Sequence, residues 1–240
     1  MSAAPAPAHV LEVRGIHTFI GEFHILEGVT VEVPPGSITV LLGRNGAGKT
    51  TTLRSIIGLT PPRSGEIRFN GQPLHGKRPH AIARMGIGYV PEKRVIFRDL
   101  TVAQNLQIAE RKKGDLAGKA DFIFSLFPDL KRLYHLPGGH LSGGQQQMLA
   151  VARALVADND LLLIDEPSEG LAPVIIEQMM EAIRQLSART TVLLVEQNFQ
   201  VASHLAERYV IIEEGISVHA GLMADLVNDP ELIKTTLGVA

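Results

Sequence analysis

The chain of 240 residues has no cysteine and no tryptophan, and only 5% of it is aromatic. Without cysteine there is no disulfide frame, no thiolate zinc site and no thiol catalysis, and a reducing compartment suits the chain. Few rings and a formal net charge of −2 argue against nucleic acid as a partner. Such a surface needs clustered Lys and Arg and aromatic platforms. No apolar run reaches the ~18 residues of a membrane span, so a membrane role would pass through a partner. Internal repeats and low-complexity linkers are also missing. The N-terminal stretch 1–9 has neither a basic start nor an apolar core, and it reads as a flexible tail, not a signal peptide. The whole chain is 45% hydrophobic, enough for a large core in residues 10–240.

The most informative stretch is Gly43-Arg44-Asn45-Gly46-Ala47-Gly48-Lys49-Thr50-Thr51. It fits the phosphate-loop pattern G-x-x-x-x-G-K-T and stands where that pattern needs to stand. The apolar run Ile38–Leu42 precedes it as a buried strand, and Lys49–Ile57 follows as a helix start. Gly43, Gly46 and Gly48 let the backbone turn its N–H groups onto an anion, with help from the helix N-terminus. Arg44, Asn45 and Ala47 contribute backbone donors first. Lys49 would lie against β- and γ-phosphates and Thr50 would ligate Mg²⁺. A phosphate loop by itself says only that a nucleotide binds.

Around it, hydrophobic spacing predicts strands at 10–13, 26–33, 37–42, 66–70, 87–90, 161–164, 191–195, 209–212 and 217–219. Asn70-Gly71 marks a hairpin turn. Between Leu100 and about Val156 only helical patterns occur, including Val102–Lys112, Leu116–Phe127 and Gly143–Val156. Pro173 opens a helix to about Ser187. This alternation predicts an α/β chain with a mostly parallel sheet, ligands at the C-terminal strand ends and a helical insert over about 100–156.

Two further motifs carry chemistry. Leu161–Ile164 ends in Asp165-Glu166. Acids after strands are common and solvated, but beside a phosphate loop Asp165 would hold Mg²⁺ and Glu166 would polarise a water. Leu141-Ser142-Gly143-Gly144-Gln145 contains the capping box Ser142-x-x-Gln145. Two glycines in a first helical turn weaken it, so close approach of its N–H groups to a second phosphate site is expected. The histidines at 75, 80, 135 and 140 lack ligand spacing and read as surface residues. Arg111-Lys112-Lys113 reads as a solvated helix end.

Gly43–Thr51, Leu141–Gln147 and Leu161–Glu166, in that order with a helical insert before the second, resemble the ATP-binding cassette ATPases. The resemblance covers nearly the whole chain after residue 9. It implies a P-loop NTPase core, an antiparallel β subdomain and a helical signature subdomain. It implies ATP and Mg²⁺ as cofactors and two cassettes paired head to tail. Ser142, Gly143 and Gly144, with Leu141 and Gln145, would then contact nucleotide on the partner, while Lys49, Thr50 and Asp165 serve their own. Glu166 becomes the hydrolytic base.

The chain departs from most of that family in three places. Glu92 follows Val90-Pro91 where a glutamine is usual, Gln197 replaces a histidine, and Pro167-Ser168-Glu169-Gly170-Leu171 replaces the usual loop. Together these look like the ATP-binding subunits of importers for branched-chain amino acids and related small amides. There Glu92 would bind nucleotide and metal, and Gln197 would hydrogen-bond the γ-phosphate. Glu169 is unusual even so, since an acid at a paired site repels phosphate unless it faces a cation. Ile20 falls where a ring usually covers adenine, with Phe19 as the alternative. The resemblance makes Val95–Leu100 the grip on an integral-membrane permease. It implies a second, different ATPase chain as partner, a solute-binding protein reached only indirectly, and a place on the cytoplasmic face of a bacterial inner membrane. A transporter for another solute, or a soluble cassette acting on ribosome or DNA, are the alternatives.

Overall fold

The structure is a computed structural model that describes residues 9–238. Apart from its last residue, the expected N-terminal tail lies outside the described residues.

Two sheets organise the chain. Strands β1 (Leu11–Ile20), β2 (Phe23–Val33), β4 (Ser64–Phe69) and β5 (Gln72–Pro73) form an antiparallel sheet in the order β2-β1-β4-β5. Asn70 and Gly71 turn between β4 and β5 with φ of 47° and 74°, the left-handed pair that such a hairpin requires. Strands β3 (Ile38–Leu42), β6 (Ile87–Val90), β7 (Leu161–Asp165), β8 (Thr191–Val195), β9 (Arg208–Glu213) and β10 (Ile216–Leu222) form the second sheet, in the order β10-β9-β3-β8-β7-β6. All its neighbours run parallel except β9 and β10. Every residue of β3, β7 and β8 is buried, which is why these strands read as continuous apolar runs and not as alternation.

Helices cover both faces. Leu41, Leu161, Leu163, Leu193 and Val195 pack toward the antiparallel sheet and helix α1 (Lys49–Ile56). Val40, Leu42, Leu162, Ile164, Val192 and Leu194 pack toward the other helices. Helix α2 (Pro79–Arg84) precedes β6. Helices α3 (Val102–Gln107), α4 (Asp115–Leu126), α5 (Pro128–Arg132) and α6 (Gly143–Leu155) fill the interval between β6 and β7. Helix α7 spans Pro173–Ser187, with Pro173 in its first turn. Helices α8 (Phe199–Leu205), α9 (Met223–Val227) and α10 (Pro230–Leu237) complete the chain. No described helix is long and apolar enough to cross a membrane.

One helix ends earlier than its pattern predicts. Thr101 and Gln104 form the expected capping box of α3, but the helix stops at Gln107 and does not continue to Lys112. Asp115 takes the backbone N–H groups of Arg111 and Lys112, and Glu110 takes those of Gly114 and Leu116. Short-range carboxylates thus outcompete the helical ladder. Arg111-Lys112-Lys113 is therefore a turn leading into α4, not a helix end. Arg111 reaches across to the Asp158 carbonyl (3.1 Å) and Asn159 Oδ1 (2.7 Å).

Candidate active site

Strand order sets the site. Leu41 on β3 is level with Val195 on β8, and Val195 is level with Asp165 on β7. The loops that leave these strand ends carry the phosphate loop, Glu196-Gln197 and Glu166, so they emerge side by side. At about 4.8 Å per strand spacing, the axes of β3 and β7 lie roughly 10 Å apart with β8 between them, and the side chains beyond their tips close that gap.

The phosphate loop is built on its glycines. Gly43 has φ 148°, and a Cβ there would collide with the carbonyl oxygen of Ile212. Gly48 has φ 110°, and a Cβ would come within 2.6 Å of Leu26 Cδ2. Gly46 has φ 81° in open space, so there the backbone conformation alone asks for glycine. Ala47 is buried, while Arg44 and Asn45 are exposed. Arg44 turns outward and donates to the Thr235 carbonyl of α10 at 3.3 Å. Lys49 is only 4% exposed. Its ammonium donates to the carbonyls of Gly43 (2.9 Å) and Arg44 (3.1 Å) and lies 3.5 Å from Glu166 Oε1. Thr51 continues α1 and accepts the Ser55 hydroxyl through its carbonyl.

Asp165 is fully buried. The Thr50 hydroxyl donates to its Oδ1 at 3.0 Å and the Tyr89 hydroxyl to its Oδ2 at 3.3 Å. Burial pushes its carboxyl up to about 6 against the pull of those two donors, and the charges of Glu166 and Glu92 add to the rise. Burial, and then Asp165 itself, also hold the Tyr89 phenol firmly protonated. Hydroxyl and carboxylate oxygens are hard donors, so Thr50 and Asp165 fit Mg²⁺, with Glu92 adding charge nearby. Glu166 sits at φ 44°, a left-handed conformation that costs a non-glycine residue about 1 kcal/mol. Its N–H is fixed by the Val195 carbonyl at 2.9 Å.

The stretch Leu141–Gln145 lies elsewhere. Ser142 and Gln145 form the capping box of α6, and Gln145 also donates to Asp129 at 3.4 Å. Among the described residues no hydrogen bond joins Leu141–Gln145 to Gly43–Thr51. Gly144 has a packing reason of its own, whereas at Gly143 the obstacle is the movable end of a long side chain. A Cβ on Gly143 would strike the Arg94 guanidinium at 2.5 Å, and one on Gly144 would strike Ile175 of α7 at 2.7 Å. Arg94 then donates to the Glu169 carbonyl at 3.2 Å. A cation does face this unusual position, but at its backbone and not at its carboxylate.

Phe19 and Ile20 diverge. Successive strand residues face opposite ways, so Ile20 shares the face of Thr18, whose hydroxyl meets Ser55 of α1 at 2.9 Å. Phe19 lies on the other face, stacked on His24 (centroids 4.1 Å apart, 3° between planes) with the Arg63 guanidinium 4.0 Å from its centroid. A ring engaged by both groups is not open to stack on adenine. Ile20 is 46% exposed, so of the two it is the one open to a base. Ile20→Ala will raise the KM for ATP about fivefold through lost apolar contact. Phe19→Ala will leave it within about twofold; the reverse order in steady-state ATPase assays would refute the assignment.

Three contributors escaped the sequence pattern: Tyr89, Arg94 and Glu196. Glu196 is 1% exposed and follows an apolar strand as an ordinary polar strand end would. Gln197 beside it is exposed, as are His75, His80, His135 and His140.

The profile of the family described as ABC transporter matches residues 26–169. The chain belongs to the ABC transporter family. This ABC cassette is 43% identical over 232 residues to the high-affinity branched-chain amino acid transport ATP-binding protein BraG of Pseudomonas aeruginosa, covering 95% of this chain and 100% of that one. It is 35% identical to the probable branched-chain amino acid transport ATP-binding protein LivF of Archaeoglobus fulgidus, over 91% of this chain and 94% of LivF. It is 36% identical to the Nod factor export ATP-binding protein I of Cupriavidus metallidurans, over 91% of this chain and 73% of that protein. Among solved structures, an ATP binding subunit of an ABC transporter superposes with a TM-score of 0.81 at 29% identity, covering 95% of this chain and 96% of that one. The ADP conformation of another ABC transporter cassette shares the fold, with a TM-score of 0.84 at 24% identity over 95% of this chain and 98% of that one. The chain is thus a nucleotide-binding ABC ATPase, the class that works with membrane permease components.

Proposed function

We propose that this cassette hydrolyses ATP to drive a membrane permease importing branched-chain amino acids or related small amides. The observation that carries the reading is its 43% identity along the whole length of BraG. The Lys49 ammonium, now on loop carbonyls and 3.5 Å from Glu166, turns onto the β- and γ-phosphates. Backbone N–H groups of Gly43–Thr51 cradle the phosphates, and Ile20 covers the base. Thr50 and Asp165, with Glu92, would hold Mg²⁺, which would supply charge neutralisation to the phosphates. Glu166 takes the proton of the attacking water. Gln197 offers its amide to the γ-phosphate and, unlike histidine, keeps one charge state at every pH. Positioning and charge stabilisation, not covalent catalysis, lower the barrier.

Ser142, Gly143 and Gly144, with Leu141 and Gln145, contact nucleotide held by a second cassette. That no hydrogen bond joins signature and phosphate loop among the described residues of one chain supports that pairing. The pair consists of two different chains on the cytoplasmic face of the inner membrane, and the solute-binding protein acts only through the permease. The permease grips Val95–Leu100, where Val95 and Phe97 are 60% and 45% exposed. Buried Asn105 holds this segment, accepting from the Phe97 N–H and donating to the carbonyls of Phe97, Leu100 and Thr101. Arg153 of α6 bonds the Val95 carbonyl and covers the Phe97 ring at 4.9 Å. Beside it lies a groove of about 400 Å³ lined by Tyr89, Arg111 and Arg153. A second reading, transport of a different solute, draws on the likeness to the Nod factor export protein.

Tagged Glu166→Gln, held in ATP and extracted from native membranes, tests the reading. A multi-span permease and a second cassette will co-purify, and leucine or a small amide will stimulate ATPase of the corresponding wild-type complex. Recovery of ribosomal proteins or nucleic acid without a membrane protein would overturn it.

A further inference from the structure

Glu196 is a carboxylate in an expensive place. It is 1% exposed, and among the described residues it has no ion-pair partner. A buried charge persists only where hydrogen bonds fill its lone pairs. Here they come from two loops. The Ser168 N–H donates to Oε1 at 3.3 Å and the Ser168 hydroxyl to Oε2 at 3.0 Å. The Asn198 N–H also donates to Oε2, at 3.3 Å. Ser168 lies two residues beyond Glu166, and Asn198 lies one beyond Gln197. The backbone at the same point reaches further. The Glu196 N–H donates to the Leu41 carbonyl at 3.3 Å, and the preceding Val195 carbonyl accepts the Glu166 N–H at 2.9 Å. One dipeptide at the tip of β8 thus ties together the strand leading into the phosphate loop, the Glu166 turn, the loop beyond it and the segment carrying Gln197.

An apolar side chain would fill this site without desolvating a charge. What it could not do is accept from Ser168 and Asn198 at once. We infer that Glu196 is a positioning residue for ATP hydrolysis, whose carboxylate fixes the Ser168–Gly170 loop against the Gln197 segment so that Glu166 and Gln197 address the same γ-phosphate. This rests on the reading of Glu166 as the base. The Glu196 side chain makes no hydrogen bond or ion pair with Lys49 or the phosphate loop among the described residues, so its contribution lies in turnover and not in nucleotide capture. The loop it holds is also the one that Arg94 grips at the Glu169 carbonyl. The bracket therefore stands between the permease-facing segment and the hydrolytic carboxylate.

Glu196→Gln keeps the shape but replaces one acceptor with an NH₂ facing donors. In steady-state assays of the full chain with Mg²⁺ and ATP, kcat will fall about tenfold while the KM for ATP stays within about twofold. Ser168→Ala, which removes one hydroxyl from a partly exposed loop and leaves the core intact, will lower kcat about threefold. The double variant will lose no more than Glu196→Gln alone, because both changes break one connection. Unchanged kcat in both single variants would overturn the inference, as would multiplicative losses in the double variant or a KM rising in step with any fall in kcat. Glu166→Gln run in parallel separates the two ideas. Turnover surviving there defeats the base assignment, whereas a silent Glu166→Gln beside fully active Glu196 and Ser168 variants defeats the bracket alone.

Discussion

Glu166→Gln will still bind ATP but will hydrolyse it about a hundred to ten thousand times more slowly, the range for loss of a general base. The substitution is nearly isosteric, and the residue's placement does not depend on its charge. The backbone N–H of Glu166 is held by the Val195 carbonyl, and φ of 44° is set by the turn after β7. What changes is basicity, together with the 3.5 Å approach to Lys49. Relieved of that neighbouring carboxylate, Lys49 turns to phosphate more readily, so ATP affinity will stay level or rise. Single-turnover hydrolysis beside fluorescent-nucleotide titration separates binding from chemistry. In size-exclusion chromatography with ATP a closed pair of cassettes will accumulate. Wild-type turnover would remove Glu166 from the mechanism.

Lys49→Ala will weaken ATP binding by roughly thirtyfold to several thousandfold, since removing one partner of a buried charge contact costs about 2–5 kcal/mol. Two effects act together. The phosphates lose their only buried cation in the loop. The loop also loses its internal fastening, because this ammonium bridges the carbonyls of Gly43 and Arg44. Lys49→Arg will not rescue. A planar fork cannot occupy a 4% exposed site shaped for a compact ammonium. Titration with a fluorescent ATP analogue measures this directly, and an affinity within about threefold of wild type would contradict the assignment.

Much of this was legible in the chain itself, because it is encoded locally. A phosphate loop announces itself by spacing, and a fully buried strand by its unbroken apolar run, as in β7 before Asp165. The boundaries of α7 and β8 follow from Pro173 and from the run Thr191–Val195. What stayed hidden depends on partners distant in sequence. The register shifts where β1 pairs with β2, at Val13/Ile16, Ile16/His17 and Thr18/Phe19, blur which of Phe19 and Ile20 faces α1. Glu110 and Asp115 stop α3 by capturing N–H groups that its apolar spacing would have left to the helix. Glu196 looks like a solvated strand end until Ser168 arrives from the neighbouring strand's loop. Gly144 looks like a phosphate contact alone until Ile175 of α7 is seen packed against it.

The phosphate loop and the signature helix occupy separate places in one chain, and among the described residues no hydrogen bond joins them. On the head-to-tail pairing proposed above, ownership of a working ATP site is divided between two cassettes. A chain carrying lesions at both Lys49 and Ser142 spoils its own site through the first and its partner's through the second. The same two lesions shared out between the partners fall on one site and spare the other. The genetics of such a pair would thus depend on arrangement in cis or in trans, and the milder phenotype would belong to the pair in which neither chain is intact.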